Sequence, residues 1–496
     1  MPKKKLTVKL SNLVNKKNSI LLLFLIVIVL ASFLRFYDIS EESFWIDEGA
    51  TALTIKKYNS QEIFKNINEE NKILPGYYLA GDLPIYYLSL ESWSILFGIS
   101  ELSLRSFSAV FGILSLILVF YLTKLIFNKK IALLSTFLSA INLTLISFSQ
   151  EARVYSFVLF FSLLSITFLV KYLKQGKSIY LSGFIISNII ILYSNFLWLI
   201  FVFVEGLYAL FILYRKYKKE MTLDKKLLVA LFILGMVSMP VIGNAFFSDI
   251  DTADTKTLYG RPGITKIAEF GVDLSTRPPA KEDILNKLLL TFSVALISII
   301  TGILFLIGII NSKKYTASSL LVFMFLIPIA IVLIVSLTLP TFSLFQIRQL
   351  IYVIPIYLIF VSLGCFKIKY RNIAIILIII LSVLPINYYY AETQKQEFRE
   401  VAKVLPQEEM IFTNIPSAQV ALQYYYGESD NILGIKSISE LTPHLDSTNS
   451  FWILFTFTKY SHDDKEIRDY IDDNYILLEQ KQFKDIELLH YGKTEI

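Results

Sequence analysis

The chain alternates between long apolar runs and short polar segments rich in Lys or Arg. Each apolar run has roughly 17 to 25 residues, the length that a helix needs to cross ~30 Å of hydrocarbon. The pattern predicts about eleven membrane-spanning helices, which we place at 19–37, 106–127, 131–149, 153–173, 178–194, 197–214, 226–246, 285–310, 316–338, 346–366 and 371–389. We therefore expect an all-α polytopic membrane domain over residues 1–389.

Composition agrees with a membrane protein. The 496 residues are 55% hydrophobic and 15% aromatic, and the mean hydropathy of +0.58 is too high for a soluble protein. The net charge of +6 comes from short clusters between the apolar runs, which is typical of membrane topology and argues against a nucleic-acid partner. With Cys365 as the single cysteine, an internal disulfide and a cysteine-based metal site are excluded.

The basic clusters predict the orientation in the membrane. If the N-terminus is cytoplasmic, the clusters that fall on the cytoplasmic side are 128–130, 171–177, 215–226, 311–314 and 366–371. Counting the apolar segment 83–98 as a span would reverse every later loop, so we expect it to be a helix lying in the interface. Two large loops, 38–105 and 247–284, then face the outside.

The tail, residues 390–496, has a different pattern. Helix-like EFREVAKVL and AQVALQYYYG alternate with strand-like MIFTN and FWILFTF, which predicts a small extracytoplasmic α/β domain. All the histidines of the chain lie in this tail: His444, His462 and His490.

The stretch FWIDEGATA places two carboxylates, Asp47 and Glu48, in the first outer loop. An outer loop tolerates acidic residues next to a span, so one carboxylate alone would have a structural explanation. Here Trp45 supplies an aromatic interface anchor and Gly49 a turn. The adjacent pair, held at the membrane surface, favours a functional role.

A second polar constellation is SQEARVYS, at the outer junction of two spans, with Glu151, Arg153 and Tyr155. A Glu and an Arg two residues apart can form a simple interfacial salt bridge. Ionisable groups at membrane depth are nevertheless costly and usually line a cavity. We expect these residues and the acidic pair to converge on one outward-facing cavity.

Three further arginines lie on the predicted outer side: Arg261, Arg277 and Arg348. The guanidinium group suits bidentate phosphate recognition. Because Arg348 opens a span and is held in place, we rank Arg153 and Arg348 first, then Arg261, then Arg277. The phosphate-loop, dinucleotide and HExxH motifs are missing, so nucleotide-driven transport has no support.

Five motifs in order carry a resemblance to a known superfamily. They are WIDEGATA, LPIYY, LFGISELSLRSFSAVFGILS, SQEARVYS and IRQLIYVIPIYLIFVSLG. The series resembles the C-fold membrane glycosyltransferases of the protein O-mannosyltransferase and lipid A aminoarabinose transferase type, over roughly residues 19–370. The resemblance implies a sugar donor linked to a polyisoprenyl phosphate in the outer leaflet, and an acceptor that is a lipid, a glycan or a protein.

The resemblance also implies roles for single residues. Asp47 matches the general base, and Glu48 is expected to orient the acceptor or Asp47. Glu151 and Arg153 match a second carboxylate and a phosphate-binding arginine, with Tyr155 beside them in the substrate site. Direct attack by the acceptor would invert the anomeric configuration.

One motif departs from the family pattern. In GDLP, Asp82 keeps the acid of an acidic–Lys–Pro signature, but Leu83 replaces the Lys. More of the phosphate binding then falls to the arginines. The aminoarabinose transferases use a loop histidine as a metal ligand, whereas this chain has no histidine before His444. We expect activity without a bound metal, with a divalent ion at Asp82 left open.

Two other functions stay open at this point. A secondary transporter or flippase would carry charges in mid-span and often an inverted repeat, whereas the charges here lie at outer span junctions and no such repeat is visible. A lipid-linked polysaccharide ligase would also face outward, and differs in requiring a diphosphate-linked glycan.

Overall fold

Helices dominate the structure, with one five-stranded sheet near the C-terminus. The computed structural model describes residues 16–69, 72–74, 77–78, 83–247, 262–277, 284–315, 317–338, 345–445, 448–456 and 463–493. Up to residue 391 the helices are α1 (Lys16–Phe36), α2 (Ile46–Lys57), α3 (Ser60–Glu69), α4 (Pro84–Phe97), α5 (Glu101–Ile126), α6 (Lys129–Ile141), α7 (Leu143–Ser149), α8 (Tyr155–Gln175), α9 (Ser178–Leu192), α10 (Leu199–Glu220), α11 (Lys225–Phe247), α12 (Ile264–Ser275), α13 (Ile284–Ser312), α14 (Ser318–Thr338), α15 (Val353–Cys365) and α16 (Arg371–Ala391). The short strands β1 (Lys72–Leu74) and β2 (Tyr77–Tyr78) pair antiparallel, and 3₁₀ turns lie at Phe196–Trp198 and Ile347–Leu350.

Among the described residues, eight helices are long and apolar enough to cross a membrane, namely α1, α5, α8, α10, α11, α13, α14 and α16. The pair α6 and α7 is bent by 62° and makes a ninth span if it counts as one. Helices α9 and α15 are apolar but shorter, with 15 and 13 residues. The helical membrane architecture predicted from the sequence is confirmed, whereas the count of eleven spans is not.

Two predicted spans have a different form in the structure. The expected helix 131–149 breaks at Asn142, because the side-chain oxygen of Asn142 accepts a hydrogen bond from Leu145 N at 3.0 Å and so caps a new helix. The expected span 346–366 starts as a 3₁₀ turn and continues as α15, all of whose residues are buried. A Cβ on Gly364 would lie 1.9 Å from the Leu304 carbonyl oxygen, so only glycine lets α15 approach α13 this closely.

The segment 83–98 forms helix α4, which begins at Pro84 and ends before Gly98. Its face with Tyr86, Tyr87 and Leu90 is fully buried, while residues 95–97 are exposed. It is absent from the candidate spans of the described chain. Its location in the membrane interface stays a prediction.

The C-terminal part contains α17 (Phe398–Val404), β3 (Met410–Thr413), α18 (Pro416–Tyr426), β4 (Ile432–Gly434), α19 (Ile438–Leu445), β5 (Ser450–Thr456), α20 (Asp463–Asn474), β6 (Tyr475–Phe483) and β7 (Ile486–Lys493). The sheet order is β4-β3-β5-β7-β6. Strand β3 is parallel to β4 and β5, and β7 is antiparallel to β5 and β6. The predicted mixture of helices and strands is confirmed, and the boundary at residues 389/390 stays a prediction.

The α/β region packs directly on the segment that leads into α2. Ile46 belongs to one of the two hydrophobic clusters on the sheet, together with Phe398 and Trp452. The rings of Phe44 and Tyr425 are tilted against each other, with their centroids 6.3 Å apart. The segment that leads into α2 is therefore held between the membrane helices and the tail.

Candidate functional site

Helix α2 presents the acidic pair in its first turn. It begins at Ile46, after the extended residue Trp45, and carboxylates in a first turn interact favourably with the helix dipole. Successive residues of a helix lie about 100° apart around its axis. The two side chains therefore point to different sides: Asp47 is 22% exposed and Glu48 is fully buried.

Glu48 is saturated with hydrogen bonds. Arg105, in the first turns of α5, binds it bidentately, with Nε 2.9 Å from Oε1 and Nη2 2.8 Å from Oε2. The backbone N–H of Ala152 donates to Oε1 at 2.7 Å, and Lys395 Nζ donates to Oε2 at 3.1 Å. Each carboxylate oxygen thus accepts two hydrogen bonds.

The remaining donors of Arg105 fix the loop in front of α2. They bind the carbonyl oxygens of Ile39, Glu42 and Ser43 at 2.7 to 2.9 Å. All five N–H groups of the guanidinium are used. The Glu48–Arg105 pair is therefore an anchor that ties α2, α5 and the loop in front of α2 together.

This environment changes the role expected for Glu48. Burial by itself would raise the pKa of the carboxyl, but Arg105 and Lys395 outweigh it and hold the pKa at about 2. A fully buried carboxylate with four donors cannot contact an acceptor. Of the two tasks expected for Glu48, this geometry favours the positioning of Asp47 over contact with the acceptor, and the role of Glu48 stays a prediction.

Two of the predicted arginines lie at Asp47, one at its carboxylate and the other at its backbone carbonyl. Arg348, in the 3₁₀ turn before α15, has Nη1 3.8 Å from Asp47 Oδ2. Arg153 Nη1 donates to the Asp47 carbonyl oxygen at 3.4 Å and to Thr51 Oγ1 at 3.1 Å. Three residues that lie far apart in the sequence are thus brought together, as the sequence predicts.

The turn between α7 and α8 supplies the second carboxylate. Glu151 is only 7% exposed, and Arg277 Nη1 lies 3.5 Å from its Oε1. Burial raises the pKa of Glu151, while Arg277 and Lys395 oppose that shift. Tyr155 is buried beside this turn, with its ring 5.1 Å from that of Phe148.

The turn is also held from the side of α1. Gln150 donates to the Tyr37 carbonyl oxygen at 2.8 Å and accepts a hydrogen bond from the Tyr389 hydroxyl at 2.9 Å. Arg35, buried in α1, donates to Ser149 Oγ at 3.2 Å. These contacts give Glu151 and Arg153 a rigid support.

The other predicted site residues have different outcomes. Asp82 and Arg261 lie outside the described residues, so their roles stay predictions. Arg277, ranked last from the sequence, reaches Glu151 and also donates to Ser147 Oγ at 3.0 Å. Across the part of the chain that the structure describes, no cluster of three or more His, Cys, Asp or Glu side chains is arranged to hold a metal ion.

Sequence reasoning missed Arg105 and Lys395. A signal existed for Arg105, because an arginine at the very start of an apolar run needs a partner at membrane depth. Lys395 follows the last span in a polar segment and looks like an ordinary surface residue. Its contact with Glu48 joins residues 347 positions apart in the sequence.

The arrangement combines two chemical capabilities. The Asp47 carboxylate is accessible and can accept a proton. The guanidinium group of Arg348 lies beside this carboxylate and that of Arg153 beside the Asp47 carbonyl oxygen. Both groups can bind a phosphate through charge-assisted hydrogen bonds. A base beside an anion-binding site suits group transfer from a phosphate ester.

The chain resembles known proteins both in sequence and in fold. Residues 72–253 match the family model described as dolichyl-phosphate-mannose-protein mannosyltransferase. The structure of ArnT from Cupriavidus metallidurans in the apo state aligns with 96% of this chain and 98% of its own, at 10% identity and a TM-score of 0.59. The same protein bound to undecaprenyl phosphate aligns with 94% and 97%, at 9% identity and a TM-score of 0.57.

A third structure has the same fold. AglB, the archaeal oligosaccharyltransferase from Archaeoglobus fulgidus in complex with an inhibitory peptide and a dolichol-phosphate, aligns with 97% of this chain and 75% of its own, at 12% identity and a TM-score of 0.53. A search of curated protein sequences gives no significant match. The resemblance to C-fold glycosyltransferases predicted from the sequence is confirmed at the level of family segment and fold.

Proposed function

We propose that the protein is an integral-membrane glycosyltransferase, which moves a single sugar from a polyisoprenyl-phosphate donor to an acceptor hydroxyl at the outer face of the membrane. The observation that carries the proposal is the Asp47 carboxylate, 22% exposed and 3.8 Å from the guanidinium of Arg348. The family match over residues 72–253 and the fold shared with ArnT and AglB support the same class of enzyme.

In the proposed reaction, the acceptor oxygen attacks the anomeric carbon of the donor sugar. The bond between that carbon and the phosphate oxygen breaks, and its electron pair leaves with the lipid phosphate. Asp47 takes the proton of the acceptor hydroxyl, a contribution typically of ~10²–10⁴-fold to the rate. One direct displacement inverts the anomeric configuration and forms no glycosyl-enzyme.

The arginines act on the leaving group. Arg348 and Arg153 lie on the same side of α2 as Asp47, where they can stabilise the negative charge that develops on the phosphate. Arg277 neutralises Glu151 at 3.5 Å and keeps that carboxylate from repelling the donor. Arg261 and Asp82 remain further candidates for donor contacts.

The donor class is supported by the ligands bound in two of the similar structures. ArnT binds undecaprenyl phosphate and AglB binds a dolichol-phosphate in their structures. We propose a polyisoprenyl phosphate as the carrier here, with a lipid, a glycan or a protein as the acceptor.

A transfer assay tests this function. Purified protein in lipid nanodiscs is incubated with radiolabelled polyprenyl-phosphate sugars and a panel of lipid, glycan and peptide acceptors. The proposal predicts labelled product from at least one monophosphate donor. Transfer from a diphosphate-linked glycan alone would indicate a ligase, and movement of lipid across a vesicle without transfer would indicate a flippase.

We also propose a cytoplasmic N-terminus and an extracytoplasmic tail. The positively charged loops that follow α5, α8, α10 and α13 support this orientation. In intact cells, a C-terminal tag should react with an impermeant label and an N-terminal tag should not. A C-terminal tag that reacts only after permeabilisation would contradict both the orientation and the outward-facing site.

A further inference from the structure

We propose that Lys395 is a positioning residue for the transfer reaction, through which the C-terminal α/β region holds the catalytic segment of α2 in place. This inference rests on the proposed function. It assigns a positioning role in the reaction to a part of the chain outside the membrane helices.

Lys395 belongs to residues 392–397, which connect α16 to α17. We call this segment the outer strap. Lys395 Nζ lies 3.1 Å from Glu48 Oε2 and 2.9 Å from the Gln150 carbonyl oxygen. One side chain of the strap thus bridges α2 and the turn that carries Glu151. Its side chain is 10% exposed, so the contact is shielded from solvent.

The next residue fastens the strap to the sheet. Gln396 donates through Nε2 to Thr456 Oγ1 at 2.6 Å, at the end of β5. Its carbonyl oxygen accepts from Ser43 Oγ at 2.5 Å, and its side-chain oxygen accepts from Ile46 N at 3.4 Å. The strap is therefore bonded to the sheet on one side and to the start of α2 on the other.

Direct packing reinforces this connection. A Cβ on Gly49 would lie 2.7 Å from Ala421 Cα, so α2 and α18 touch backbone to backbone. The N–H of Phe44 donates to the Tyr425 hydroxyl at 2.6 Å. The acidic pair is thus clamped by the α/β region as well as by α5.

The buried ammonium group explains why the position of Asp47 depends on the strap. A buried cation is costly unless its partners are fixed, and burial together with Arg105 lowers the pKa of Lys395. Glu48 and the Gln150 carbonyl must keep their places to hold it. Asp47 is the neighbour of Glu48, and a misplacement of ~1 Å at a reacting group can cost ~10²-fold in rate.

The test compares Lys395→Met with Lys395→Arg and with Lys403→Met. Lys403 is a lysine in the same region, and its side chain is 66% exposed. We expect Lys395→Met to lower kcat by ~10–10²-fold with an unchanged KM for the donor. Lys395→Arg should restore most of the rate, because it keeps a cation and N–H donors. The exposed control should behave like wild type.

A second variant tests the link from the side of the sheet. Gln396→Ala keeps every charge at the site but removes the bonds to Thr456 and Ile46. We expect a lower kcat with unchanged donor affinity, and faster hydrogen exchange of the amides of α2. If Lys395→Met does not fold, Gln396→Ala becomes the test of the inference. A Gln396→Ala protein with the kcat and the hydrogen exchange of the wild type would overturn it.

The two proposals fail in different ways. If the wild-type protein transfers no sugar from any polyprenyl-phosphate donor, the proposed function fails. If the wild type is active while Lys395→Met has the kcat of Lys403→Met, the positioning role fails and the proposed function stands. A loss in Lys395→Met that Lys395→Arg does not restore would also contradict a role for the positive charge.

Discussion

Replacing Glu48 by Gln should destabilise the protein by about 3 kcal/mol. The pKa of Glu48 lies at about 2 instead of its ordinary 4.5, and at 1.36 kcal/mol per pH unit this difference corresponds to about 3 kcal/mol. Breaking one partner of a buried ion pair typically costs ~3–5 kcal/mol, which agrees. In Glu48→Gln the guanidinium of Arg105 and the ammonium of Lys395 stay buried without their shared anion.

The pH dependence follows from the lowered pKa. A carboxylate with a pKa below its unfolded value stabilises the fold above about pH 4.5, and this stability is lost as the pH falls from 4.5 towards 2. The wild type should therefore lose about 3 kcal/mol more than Glu48→Gln over that interval.

Unfolding by SDS in mixed micelles, at pH 7 and at several acidic pH values, measures both quantities. Glu400→Gln is the matched control, because Glu400 pairs with Arg399 and Lys403 at a half-exposed site, where such pairs contribute ~1 kcal/mol or less. If Glu48→Gln is no less stable than Glu400→Gln, the Glu48–Arg105 pair does not anchor the fold.

Two further predictions concern the donor. Arg153→Ala and Arg348→Ala should each weaken donor binding by ~1.5–3 kcal/mol, about 10- to 150-fold in Kd, and Arg153→Lys should restore only part of it because an ammonium lacks the guanidinium fork. Titration with a polyprenyl-phosphate sugar measures this, with Arg371→Ala at the start of α16 as the control, and unchanged affinity in both variants would place the phosphate elsewhere. Transfer should also survive strong chelation, and activity that is abolished by a chelator and restored by one metal would show that a metal is required.

The sequence predicts which polar residues come together in the site. It does not predict the hydrogen bonds that hold them there. Topology alone places Asp47, Arg153 and Arg348 at outer ends of spans, and the structure brings these three residues together. Membrane helices have few arrangements, so the side of the membrane restricts which polar residues can meet. This restriction is the main reason why the sequence predicts these three residues correctly as neighbours.

The difference between Asp47 and Glu48 could not be read from the sequence. Both are carboxylates in the same first turn, and which one stays partly exposed depends on how α2 is rotated against α5. That rotation is set by Arg105 and by the strap, whose Lys395 lies 347 positions beyond Glu48. Contacts of this kind depend on tertiary packing and have no local pattern.

The length of the helices shows the same limit. The apolar run 131–149 looks like one span, yet a hydrogen bond to the side chain of Asn142 starts a new helix at a 62° angle. The run 346–366 also has the hydropathy of one span, yet its helix α15 has only 13 residues, all of them buried by protein. Burial by protein and burial by lipid favour the same residues, so hydropathy cannot separate them.

The central claim is that Asp47 takes the proton of the acceptor, and single-turnover transfer by Asp47→Asn tests it most directly. The substitution keeps the shape of the side chain and removes the basic carboxylate. We expect the variant to keep the stability and donor affinity of the wild type, which serve as controls. Its turnover should fall by at least ~10²-fold. Near-normal single-turnover transfer by Asp47→Asn would contradict it.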